Sequence, residues 1–101
     1  MRFSAKIYEL IKEVPRGKVT TYKILAEVAG RPKAYMAVGL ILHRNPCLID
    51  VPCHRVIRSS GQVGGYKLGQ EYKVKLLKKE GVKIENNTVD FDKHLFKFGN
   101  P

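Results

Sequence analysis

Apolar residues near the start of the chain recur at spacings of three and four. Phe3, Ile7, Leu10, Ile11 and Val14 fall on one face of a helix over residues 3–14. "PRGK" at 15–18 stops it with a proline and a glycine. Thr20 or Thr21 can N-cap a second helix, with Ile24, Leu25 and Val28 inward and Gly30 as the glycine past its end. "RP" at 31–32 opens a third helix over 33–44, and Asn45-Pro46 ends it. Val38, Ile41 and Leu42 form its apolar side, while Met36, Gly39, Leu40 and His43 lie toward another face. Two short helices joined by a tight glycine turn make a helix-turn-helix pattern, with the second as recognition helix.

The second half alternates faster. "CLIDV" (47–51) and "RVIR" (55–58) read as short strands, and "SSGQVGGYKLG" (59–69) as a glycine loop. "QEYKVKLLKKEG" (70–81) reads as a helix with Tyr72, Val74, Leu76 and Leu77 inward and Gly81 as its cap. "VKIENNTVDF" (82–91) alternates around Asn86-Asn87, the pattern of a hairpin. Leu95 and Phe96 are expected to dock on the core. The predicted class is mainly α with short strands.

Composition sharpens this picture. At 101 residues the chain has the length of one domain, and 44% hydrophobic content gives it a core to bury. Its net charge is +10, from 19 Lys+Arg against 9 Asp+Glu, which suits a polyanionic partner such as nucleic acid. The competing reading is a solvated, lysine-rich surface. No apolar run approaches the ~18 residues of a membrane span. The opening "MRFSAKIYELIKEV" is charged throughout and unlike a signal peptide. Two cysteines are too few for a disulfide framework, so the expected setting is a reducing interior.

Each thiol then needs a reason. Cys47, in an apolar run, reads as a small buried hydrophobe. Cys53 follows Pro52 and precedes His54, and a nearby histidine can take a thiol proton. Neighbours in sequence often point apart, so adjacency alone leaves buried filler and nucleophile both open. The C-x5-C-H spacing of Cys47, Cys53 and His54 matches no common zinc arrangement. A cysteine protease would need a peptide cleft, for which a chain this short has little room.

"PCHRV" (52–56), preceded by "NP" (45–46) and followed by "SSGQVGGY" (59–66), resembles the active-site signature of the O6-alkylguanine-DNA alkyltransferases, the methylated-DNA–protein-cysteine methyltransferases. "VPRGKVTTYKILAEVAGRPKA" resembles the family's helix-turn-helix, and "LLKKEG" its late helix. The likeness runs from about residue 3 to the end. It implies a winged-helix-like alkyltransferase domain over 1–101, without the family's variable N-terminal domain. By resemblance, Cys53 is the alkyl acceptor, His54 its base through a water, Glu80 the orienter of His54, and Asn45 the brace beside Cys53. Tyr22 helps rotate the flipped nucleotide, and Tyr66 lines the alkyl pocket. The backbones of Cys53 and Val56 read the guanine edge, the Lys67 amide faces O6, and Ser59 touches the DNA backbone or pocket loop. Lys33, Met36, Gly39, His43 and Arg44 lie on the DNA side.

The implied activity is suicidal repair of O6-alkylguanine, and by extension O4-alkylthymine, in double-stranded DNA. The target base must first leave the stack. The resemblance implies no metal and no cofactor, no membrane, a monomer, and a cytoplasmic location (nuclear in a eukaryote). The family usually carries an arginine where this chain has Met36. Methionine loses the hydrogen bonds but can still wedge between base steps. An alternative from another class is a non-enzymatic, alkyltransferase-like sensor of alkylated DNA, whose signature lacks the cysteine. A plain helix-turn-helix regulator leaves "PCHRV" unexplained.

Overall fold

The computed structural model describes residues 2–46 and 50–99. Among these residues, five helices, α1 (Phe3–Lys12), α2 (Tyr22–Val28), α3 (Tyr35–His43), α4 (Gln70–Lys79) and α5 (Phe91–His94), carry most of the regular secondary structure. Four two-residue strands join them: β1 (Thr20–Thr21), β2 (Val56–Ile57), β3 (Ile84–Glu85) and β4 (Thr88–Val89). The mainly helical class with short strands holds. Among the described residues no helix is long and apolar enough to cross a membrane.

The local chemistry accounts for the boundaries. Thr21 caps α2, its Oγ1 accepting from the Ile24 amide at 3.0 Å. At the other end Arg31 N–H donates to Ala26 O and Gly30 N–H to Glu27 O, with Gly30 at φ +89°. That is a Schellman motif, which requires a left-handed residue and so favours glycine. The same pair of bonds, Val82 to Leu77 and Gly81 to Lys78, closes α4 and fixes Glu80 as its C-cap. Asn86 and Asn87, both at positive φ, turn the antiparallel β3–β4 hairpin.

β1 and β2 pair in parallel, Thr20 with Val56 and Thr21 with Ile57. Successive strand residues face opposite ways. Val56 therefore enters a core built from α1, α2 and α3, while Ile57 enters a second core with Val19, Val63, Leu77, Val82 and Val89. This pairing sets the single 3₁₀ turn Cys53–Arg55, just before β2, beside the start of α2.

Several expectations shift. α2 buries Leu25 and Ala26, with Ala29 buried at its C-cap; the small alanines let neighbouring helices close in, and Val28 is left 42% exposed. α3 begins at Tyr35 rather than 33, because residues 31–34 form a turn closed by Ala34 N–H to Arg31 O. Asp50 and Val51 form a turn and bend rather than a strand, and the rest of "CLIDV", Cys47 included, lies outside the described residues. On α4, Tyr72 is half exposed and Lys73 is wholly buried in its place. At the C-terminal end Leu95 pairs with Val19, the Phe96 amide bonds Val19 O, and it is Phe98 that packs on the first core.

Candidate active site

A cleft of about 330 Å³ opens between α3 and the 65–67 loop, with room for a purine base. Cys53 is at its floor. Tyr22 from the first turn of α2, Gly39, Leu42 and His43 from α3, and Gly65, Tyr66 and Lys67 form the walls. A Cβ added at Gly65 would touch nothing, so that wall has slack rather than close packing.

Cys53 is 4% exposed. The buried Asn45 amide spans two neighbours, donating to Val51 O at 2.9 Å and to Cys53 Sγ at 3.5 Å. Burial pushes the thiol above its ordinary pKa, while the Asn45 bond and the charges of Lys73 and Lys67 pull it down. The resting group is therefore a thiol in a place that is prepared for a thiolate.

Behind it, His54 Nε2 lies 3.0 Å from Glu80 Oε2. A carboxylate only accepts, so Nε2 carries the proton and Nδ1 holds the free lone pair. Nδ1 is buried without a protein partner. Burial lowers the His54 pKa, as do the Arg55 and Lys73 charges, against the raising effect of Glu80. His54 is thus held as a neutral base. Glu80 is shared: Arg55 Nη2 and Nε donate to its two oxygens at 2.7 and 3.0 Å, and Arg55 Nη1 donates to Val14 O at 2.8 Å. Burial pushes the Glu80 carboxyl up, but the Arg55 and His54 bonds outweigh it and keep it below its ordinary value.

Two further groups at the site were not singled out in the sequence. Arg55 fixes the carboxylate that orients His54. Lys73 is fully buried, donates to Gly65 O at 2.9 Å and lies 5.8 Å from the Tyr22 ring. Burial lowers its pKa to about 7, with the Cys53 charge acting in the opposite sense. A buried lysine facing a thiol could have been suspected only from its i, i+4 spacing with Leu77.

Cys53, Tyr22, Tyr66, Lys67, Gly39 and His43 meet in the cleft, with Asn45, His54 and Glu80 behind. Tyr66 sits edge-on to His54, stacks on Tyr72, and is pushed up to about 12 by burial first and then by Cys53 and Tyr72. Val56 is buried in β2 outside the cleft. Ser59 lines an adjoining hollow with Tyr22, Lys23, Tyr35 and Arg58. Lys33 borders a separate hollow, and Arg44 is exposed at the end of α3. Met36 is 76% exposed on α3, with Leu40 at 62%.

Residues 2–82 match the sequence model of the 6-O-methylguanine DNA methyltransferase DNA-binding domain. The chain belongs to this family. The methylated-DNA–protein-cysteine methyltransferase of Methanosarcina barkeri is 46% identical over 84% of this chain and 51% of its own length. The chain spans about half the length of that relative. Among solved structures, S. pombe Atl1 bound to damaged DNA containing O6-carboxymethylguanine superposes with a TM-score of 0.85 at 29% identity, over 96% of this chain and 99% of that one. The Mycobacterium tuberculosis OGT in complex with DNA superposes at 0.75 with 39% identity, over 79% of this chain and 50% of that one. The family's architecture thus covers the cleft, the 3₁₀ turn and α3.

Proposed function

We propose that the protein repairs double-stranded DNA by moving the alkyl group of an extruded O6-alkylguanine, or O4-alkylthymine, onto Cys53. The observation that carries this is a buried thiol at the floor of a purine-sized cleft, backed by a neutral histidine on a carboxylate. Tyr22 and the exposed Met36 act at the DNA, and Lys33, His43 and Arg44 lie along the same side. The flipped base enters the cleft, where the Cys53 backbone and the Lys67 amide meet its edge, while Val56 stays buried in β2 behind them. Ser59 and Lys33 hold the flanking backbone.

His54 Nδ1 draws the thiol proton through a water, and Glu80 stabilises the imidazolium that forms. Lys73 gains positive charge most readily when Cys53 is negative, so it supports the thiolate. Sulfur attacks the alkyl carbon, the carbon–O6 bond breaks, and guanine takes that electron pair. The proton that left the thiol ends on guanine. The thioether is stable, so each molecule works once, as a monomer, without metal or cofactor. The setting consistent with this is the cytoplasm, or the nucleus in a eukaryote.

A second reading is lesion sensing without repair, favoured by the near full-length match to Atl1. Incubation with an O6-methylguanine oligonucleotide, followed by intact-protein mass measurement, separates them. Repair predicts a gain of one methyl group, lost in Cys53→Ala. Tight lesion binding with no mass change would favour sensing.

A further inference from the structure

The Lys67 side chain does something its backbone role does not require. Its Nζ reaches from the 65–67 loop to the end of α3 and donates to Asn45 O at 3.0 Å. Asn45 is also the residue whose amide lies 3.5 Å from Cys53 Sγ. Lys67 lines the same cleft as Cys53, and its charge is among those felt at the sulfur. An ammonium has three donors, and the Asn45 carbonyl takes one. No acidic side chain lines the cleft among the described residues.

An alkyl carbon poised for attack sits about 3–3.5 Å from sulfur. A carboxylate one bond beyond that carbon extends the adduct into the cleft that Lys67 lines. We infer that Lys67 makes this cleft selective for anionic O6 adducts, the O6-carboxyalkylguanines, by pairing its ammonium with the adduct carboxylate. The inference rests on the alkyl-transfer reading above. The chemistry is the same displacement: sulfur bonds the methylene carbon, the carbon–O6 bond breaks with its electrons on guanine, guanine is protonated, and Cys53 keeps the carboxymethyl group.

The test compares single-turnover rates on matched oligonucleotides carrying O6-carboxymethylguanine or O6-methylguanine, in wild type, Lys67→Gln and Lys67→Glu. The readout is the ratio of the two rates, which cancels any general effect on the thiol or on folding. The ratio should drop about tenfold in Lys67→Gln, the size of one charge-assisted hydrogen bond, and further in Lys67→Glu. A ratio unchanged in both variants, whatever the separate rates do, overturns the selectivity. If wild type transfers neither group, the alkyl-transfer reading fails as well.

Discussion

At the scale of residues, the chemistry depends on which groups are neutral at rest. Burial holds the His54 pKa below its ordinary value, so transfer should fail on acidification only once pH drops below the usual imidazole range. Two neighbours act with opposite sign. Glu80 raises the His54 pKa, so Glu80→Gln moves the acid limb of the pH–rate profile further down and slows transfer about 10²-fold. Arg55 lowers it, so Arg55→Gln moves that limb up. Single-turnover rates across pH check both; limbs that moved together would refute the shared carboxylate. Cys53 with His54 stood out in the sequence as a motif. Arg55 did not, because its role depends on Glu80 and Val14 O arriving from other elements.

At the scale of elements, α4 trades stability for chemistry. Its inward face holds Lys73 at about 7, far below the ordinary lysine value of 10.5. The folded state therefore prefers the neutral amine. That contribution to stability is whole above about pH 10.5 and is lost as pH falls toward 7. Lys73→Met should raise Tm by about 4 °C or more at pH 7, less at pH 10, and slow alkyl transfer. Thermal melts at the two pH values, paired with transfer rates, check this; a Tm gain independent of pH would contradict it. The sequence pattern turned Tyr72 inward because a lysine counts as polar, whereas Val74 does pack on the second core. The carbonyl of Gly65 and the face of the Tyr22 ring make burying it tolerable.

α3 carries the other element-scale departure. Met36 and Leu40 give it an uncharged exposed face where hydrogen bonds to an orphaned base would need a donor. Met36→Arg should speed repair in duplex DNA while hardly changing reaction with a free O6-alkylguanine base. Equal effects on both substrates would place Met36 outside base extrusion. The helices themselves were legible from apolar spacing, and their ends from Thr21, Gly30 and Gly81. β2 was legible in "RVIR", but its partner β1 was hidden, since Thr20–Thr21 leave no alternation to read, and α2 was read through Val28 when Ala26 and Ala29 make the contact.

At the scale of the whole molecule, short pieces of structure converge on one thiol. The β1–β2 seam divides two cores and brings the 3₁₀ turn to the start of α2. The end of α4 delivers Glu80, and α3 walls the cleft. The net charge of +10 surrounds this with a field suited to DNA. That convergence was legible only as a resemblance, because spacing alone cannot show which distant side chains meet Cys53. The central claim is that Cys53 accepts an alkyl group irreversibly and once. Titrating the protein with excess duplex carrying a radiolabelled O6-methylguanine measures this directly. Label on protein should saturate at one methyl per molecule, all of it in the Cys53 peptide, with unmodified guanine left in the DNA. Label released as a small molecule, transfer beyond one equivalent, or a methyl on any other residue would contradict it.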